Sequence, residues 1–202
     1  MPPKPRTPRA FRGILSSMEL SIRSATQQDI PHIKAILDYA VSSKMYRGDL
    51  AWGDKAYDDQ GLAEAIARGA VYVVETAGEG VVATFRLELQ DESMWGPQPS
   101  NAVYVQRFAT ANGFRGQGLG KQLFEYITRM AENGGKQFVR LICPQDNTKL
   151  AAYHESNGFV RVDYKAKPYV PSPVVYYERP VDPTYQEQAT AKRGFLNRLR
   201  RH

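Results

Sequence analysis

A chain of 202 residues, 42% hydrophobic and 24% charged, has room for one domain with a full core, and no apolar run reaches a membrane-spanning length. The lone cysteine, Cys143, excludes an internal disulfide framework and suits a reducing compartment, so a cytoplasmic location is expected. The net charge of +6 sits in the tails: Lys4, Arg6, Arg9 and Arg12 stand in residues 1–18 without an acid, and residues 182–202 carry five basic side chains against two acids. Residues 19–181 are left at −1, which argues against a basic nucleic-acid groove in the body of the chain.

In chain order, residues 1–18 form a Pro- and Arg-rich extension for which disorder is the expectation, with Met18 as an alternative start and a transit peptide as a fainter reading. Leu20–Arg23 alternates as a short strand, and Thr26 with Asp29-Ile30-Pro31 marks the start of a helix striped by Ile30, Ile33, Ile36, Leu37, Tyr39 and Val41. A polar stretch over 42–60 precedes a second helix, Leu62 to Arg68, stopped by Gly69. Val71–Val74 reads as a strand, 77–80 as a hairpin turn, and Val81–Gln90 as a strand with one buried and one wetter face, except at Val82. Residues 91–100 read as a loop and Ala102–Thr110 as a strand.

A helix over roughly 117–132, stopped by Gly134 and Gly135, then leads to a strand at Phe138–Cys143. Asn147–Ser156 reads as a helix, and Phe159–Tyr164 and Val174–Glu178 as the last strands. This order is a mixed α/β layer rather than a pure βα alternation. Residues 186–201 carry a short basic amphipathic pattern, weakened as a free helix by Gly194.

The stretch Arg115-Gly116-Gln117-Gly118-Leu119-Gly120-Lys121 links a strand to an amphipathic helix. Glycine frees the backbone to turn its N–H groups outward, and the first amides of a helix have no internal partners, so the junction suits a phosphate. The spacing fails the P-loop, because the residue five before Gly120 is Arg115 and Gln122 follows Lys121. It is also one residue short of the dinucleotide fingerprint. Arg115-x-x-Gly118-x-Gly120 instead resembles the pyrophosphate motif of the GNAT superfamily of N-acetyltransferases. A second block, Asn147-Thr148-Lys149-Leu150-Ala151-Ala152-Tyr153-His154-Glu155-Ser156-Asn157-Gly158-Phe159, is similar to that family's later motif. The resemblance covers about residues 19–165.

The resemblance implies an α/β fold with a mixed, mostly antiparallel splayed central sheet flanked by helices, with the transferase domain over 19–180 and a basic tail over 181–202. It implies acetyl-CoA as cosubstrate and no metal. The backbone of Phe108, Ala109 and Thr110 would pair with the pantetheine amides, and Gly116, Gln117, Gly118, Leu119, Gly120 and Lys121 would hold the pyrophosphate, flanked by Arg115. Asn147 would start its helix or touch the pantetheine. Tyr153 stands where many relatives place a general acid for the CoA sulfur, and a phenol of pKa ~10 can protonate a nascent thiolate. The base stays unassigned, with Glu88, Asp91 and Glu92 as weak candidates. His154, His32 and Cys143 take structural readings. Asp49, Asp54, Asp58 and Asp59 with Trp52 and Trp95 would suit a cationic, partly apolar amine. Direct transfer to a small or protein amine leads. Acetylation of an aminoacyl-tRNA held by the basic tails, or an idle acyl-CoA-binding module, stands as the alternative. A homodimer fits as well, and nucleic acid is reached only through the tails.

Overall fold

The computed structural model describes residues 20–46, 48, 52, 56–162, 173–182 and 184. The extension at 1–18, Asp49, Asp54, the end of the strand expected to reach Tyr164, and the basic pattern at 186–201 lie outside the described residues. The elements in order are β1 (Leu20–Ser24), α1 (Ile30–Met45), α2 (Asp59–Ala67), β2 (Val71–Thr76), β3 (Gly80–Glu88), α3 (Glu92–Trp95), β4 (Ala102–Thr110), α4 (Leu119–Asn133), β5 (Phe138–Pro144), α5 (Thr148–Ser156), β6 (Val160–Val162) and β7 (Val174–Pro180). The seven strands run β1-β2-β3-β4-β5-β7-β6. The described residues form two compact units, one up to Glu88 with Val105–Leu123, the other Leu89–Tyr104 with Phe124 onward.

In the first unit, β1 and β2 pair antiparallel from Leu20↔Thr76 to Ser24↔Tyr72, and β2 and β3 pair antiparallel around the turn at Gly78 and Gly80. Its core joins Ile33, Ile36, Leu37 and Val41 of α1 to Leu62, Ala65 and Ile66 of α2 and Val71 and Val73 of β2. A 3-10 turn at Gln27–Asp29 leads into α1, with Thr26 and Asp29 forming a reciprocal capping box. Asp29 is buried and accepts two hydrogen bonds from Arg23, at 2.7 and 2.8 Å, while Arg23 also donates to Glu75 at 2.6 Å. One guanidinium thus ties the start of α1 to β1 and β2.

β3 departs from its expected alternation. Val82, Ala83, Thr84 and Phe85 are all buried, so its middle is covered on both faces. Thr84 tolerates this because its hydroxyl donates to the Tyr72 carbonyl at 3.0 Å.

In the second unit, β4 and β5 are parallel from Ala102↔Phe138 to Tyr104↔Arg140, and α4 supplies the crossover that a parallel pair requires. β7 pairs antiparallel with both β5 and β6. Trp95, Ala102, Tyr104, Phe138 and Tyr176 form a core, over which the buried Arg140 lies, donating to Glu178 at 2.8 Å and to the Tyr104 hydroxyl at 3.0 Å. The stretch expected as a loop at 91–100 contains α3, which Asp91 caps by accepting from the Met94 amide at 3.3 Å. A four-residue helix is too short to leave a periodic signal in the sequence.

Candidate active site

The residues expected to hold the pyrophosphate converge in the first unit, between β4 and α4. Gly113, Gly116 and Gly118 have φ of 91°, 76° and 84°, a region that side-chain-bearing residues rarely enter. A Cβ built on any of the three meets nothing within 4 Å, so glycine is required here by conformation and not by crowding. Phe114 is buried and fixes the loop to its unit, and Leu119 is buried at the first turn of α4.

The Lys121 amide donates to the Gly118 carbonyl at 3.1 Å, the first bond of the helix. Among the described residues, the amides of Gly116, Gln117, Gly118, Leu119 and Gly120 donate to no carbonyl. Five consecutive N–H groups at the positive end of an amphipathic helix make an anion cradle. The side chain of Gln117 donates to the Gly113 carbonyl and holds the loop across its mouth. Arg115 is exposed and tethered to α1, its guanidinium donating to the Ser43 hydroxyl at 3.2 Å. Lys121 is exposed on the helix.

Phe108, Ala109 and Thr110 end β4. Arg107, just before them, has φ of 52° and is the sole residue other than glycine with a positive φ among the described residues. A left-handed arginine within a strand costs roughly 1–2 kcal/mol, and such a deviation points to function. It also turns the strand at the point where the backbone of 108–110 begins. The Arg107 guanidinium lies 5.3 Å from the Trp52 ring and 5.7 Å from the Tyr57 ring. Burial lowers its pKa, and neighbouring Arg86 works in the same direction against a Tyr57 contribution that raises it. Sequence reasoning passed over Arg107, yet a signal was present. It stands in an otherwise mostly apolar strand, two residues beyond the buried run Ala102–Val105 and two before the buried Ala109, where a charge is out of pattern.

The second unit carries Asn147 and Tyr153. Asn147 caps α5, its side chain accepting from the Leu150 amide at 3.1 Å. Tyr153 is 37% exposed, its ring centroid 6.3 Å from that of Phe124. Partial burial raises its pKa against an opposing Asn157 contribution, which keeps the phenol protonated at neutral pH. His154, one residue on, points inward and is buried among Phe124, Phe159 and Tyr177, each ring centroid 5.8 Å away.

The three carboxylates considered as bases differ in their ties. Glu88 is shared by two guanidinium groups, paired with Arg86 and, at 3.4 Å, with Arg68. Asp91 caps α3 and also accepts from the Ser93 hydroxyl at 2.8 Å, and Glu92 is exposed in the first turn of α3. Of the four acids expected to suit a cationic acceptor, Asp58 and Asp59 lie among the described residues, and each has a structural tie. Asp58 caps α2 through the Gly61 amide at 2.6 Å, and Asp59 pairs with Lys34 at 2.5 Å. Trp95 is a core residue of the second unit, 2% exposed. A loop acid followed by a helix reads in sequence both as a cap and as a surface charge, and only the placed amide separates them.

The sequence matches the profile of the Acetyltransferase (GNAT) family over residues 33–159. It is 24% identical over 141 residues to the uncharacterized N-acetyltransferase YesJ of Bacillus subtilis, covering 67% of this chain and 78% of that one. The fold is similar to that of a GNAT-family acetyltransferase from Listeria monocytogenes, with TM-score 0.68 and 20% identity, covering 81% of this chain and 95% of the other. It is also similar to yncA of Salmonella typhimurium, described as an acetyltransferase and solved with its cofactor acetyl-CoA, with TM-score 0.59 and 22% identity over 81% and 95% of the two chains.

Proposed function

Because the chain belongs to the GNAT acetyltransferase family, we propose that it moves an acetyl group from acetyl-CoA directly to a primary amine, using a transferase domain over residues 19–180. The observation that carries this reading is the row of undonated amides from Gly116 to Gly120 at the start of α4. That row suits a pyrophosphate, with room above the glycines for phosphate oxygens to approach the backbone. Acetyl-CoA supplies the acetyl group as an activated thioester, and the chain supplies position and proton control.

Arg115, held on Ser43, stands beside the cradle as a charge partner, and charge-assisted hydrogen bonds are the stronger ones. The backbone of Phe108–Thr110 offers the pantetheine amides a strand edge to pair with. The positive φ of Arg107 supports this, because it sets the direction of that segment. Tyr153 donates its proton to the departing sulfur. Its raised pKa suits an acid that must be protonated before the thiolate forms. Asn147 caps and so positions the helix that bears Tyr153.

A thiol-release assay with acetyl-CoA across amino acids, amino-acid amides, polyamines, aminoglycosides, peptides and aminoacyl-tRNA tests the reading. At least one amine class will release CoA above the rate of water. Tyr153→Phe will lower kcat on that amine by about 10²-fold or more while acetyl-CoA affinity stays within a few-fold. Unaltered turnover removes Tyr153 from the acid role. Tight acetyl-CoA binding with no amine turned over would instead favour a binding module.

A further inference from the structure

Among the described residues, the polar stretch 42–60 brings aromatic rings up against cationic side chains. Two aromatic rings, Trp52 and Tyr57, lie among three cationic side chains. Lys44 stands 5.1 Å from the Trp52 centroid, Arg107 stands over both rings, and Arg86 stands 5.9 Å from the Tyr57 centroid. Arg86 is held by Glu88, which Arg68 also shares. Arg107 differs. It is half-buried, and it makes no hydrogen bond or ion pair to any of the described residues. A guanidinium has five N–H donors in a planar fork, and two ring faces satisfy its charge but not those donors. The Tyr57 hydroxyl, buried beside it, faces the Arg86 guanidinium but makes no well-formed hydrogen bond among the described residues.

Among the described residues, this polar cluster holds no acceptor bonded to the Arg107 guanidinium. Its donors call for a planar oxyanion, which a guanidinium binds through two parallel hydrogen bonds. The cluster adjoins Phe108, where the strand edge proposed for the pantetheine begins, and Arg107 holds its strained backbone at that junction.

We propose that Arg107, with Arg86 and the Tyr57 hydroxyl beside it, binds the carboxylate of the acceptor, and that the acceptor is therefore a small amine bearing a carboxylate, of the free amino-acid class. This rests on the acetyltransferase reading and names its substrate class. The carboxylate on Arg107 anchors the acceptor while the aromatic rings cover its side chain. The amine, in its neutral form, attacks the acetyl carbonyl. The N–C bond forms, the C–S bond breaks, and the proton lost by the amine balances the one gained by the thiolate, so that amide and free CoA leave. The same cluster disfavours polyamines and aminoglycosides, whose extra ammonium groups would meet like charge and leave the guanidinium unpaired. A site built to bond a polar group discriminates sharply against an analogue that lacks it.

The test compares free amino acids with their carboxamides, matched side chain for side chain, by thiol release from acetyl-CoA. The wild-type protein is expected to prefer the carboxylate in kcat/KM by about 30-fold or more. In Arg107→Asn that ratio falls to within a few-fold of unity, chiefly through KM. Asn is chosen because it tolerates a left-handed backbone, and melting temperature and acetyl-CoA affinity report an intact fold. Arg107→Lys keeps the charge without the fork and is expected to fall between the two. Equal or better use of the carboxamides or of polyamines by the wild type overturns the carboxylate site and leaves acetyl transfer standing. An unchanged ratio in Arg107→Asn overturns the role of Arg107. Failure to bind acetyl-CoA at all overturns both readings.

Discussion

At the scale of single residues, burial decides roles that sequence position leaves ambiguous. His154 neighbours the proposed acid, yet its ring is enclosed by aromatic side chains and its Nδ1 has no partner. Burial lowers its pKa from 6.5 to about 4. Between those values the unfolded chain takes up a proton that the folded chain refuses, so stability falls as the pH drops from 6.5 toward 4. The loss between pH 7 and pH 5 from this one group is on the order of 2 kcal/mol. Urea unfolding at the two pH values, in wild type and His154→Phe, should show that loss in the wild type and its removal in the variant. The same residue-scale distinction gives Asp58 and Asp59 structural ties. Each looks like a loop acid in sequence, while one caps α2 and the other pairs with Lys34.

At the scale of elements, much of the fold was legible in the sequence. β4 spans Ala102–Thr110 as expected, because its nine residues are largely apolar, contain neither Gly nor Pro, and a glycine-rich loop follows. α5 begins at the Asn147 cap and ends before Asn157-Gly158, and α4 stops at Gly134-Gly135. Local chemistry sets these boundaries, so local reading finds them. β3 was misread because its wetter face is covered in the fold. Thr84 looks like a solvent-facing residue until its hydroxyl is seen to bond the Tyr72 carbonyl. The Arg23–Asp29–Glu75 cluster was equally invisible, since its members are separated by 6 and 52 positions.

That cluster governs the junction of α1, β1 and β2. Arg23 holds the Asp29 carboxyl well below the usual carboxylate range, aided by the Thr26 amide and hydroxyl and opposed by burial. A lowered carboxyl contributes stability above its unfolded pKa of ~4, lost as the pH falls through its folded value. Arg23 is 39% exposed, so the effect is judged from the lost charge-assisted bonds and discounted for solvent. Asp29→Asn should cost about 2 kcal/mol at pH 7 and flatten the acid limb of the stability curve. Glu75→Gln, at a side chain 30% exposed, should cost less. Equal effects in denaturant titrations would mean that Asp29 is not the anchor.

At the scale of the molecule, the blocks that identified the family fall in different units. Arg115–Leu119 and its flanks belong to the first, and Asn147–Phe159 to the second, and each unit carries a core of its own. The family was legible because glycine spacing and a capping Asn act through the backbone, which local sequence specifies. The cluster proposed for the acceptor was not, because Trp52 and Tyr57 after α1 meet Arg86 of β3 and Arg107 of β4 only in the fold. Composition counted Asp58 and Asp59 as loop acids, whereas one caps α2 and the other pairs with Lys34.

The claim on which the rest depends is that the backbone amides of Gly116–Gly120 hold the pyrophosphate of acetyl-CoA. Calorimetric titration of acetyl-CoA into wild type, Gly118→Asn and Gly118→Glu tests it most directly. Among the described residues no atom lies within 4 Å of a Cβ at Gly118, so the burden on either variant is its φ of 84°, and melting temperatures report whether each fold is intact. Asn tolerates the positive φ and should keep affinity within about fivefold, while Glu sets a negative charge in the cradle and should weaken it by about 10²-fold or more. Equal affinity in all three proteins would contradict the account.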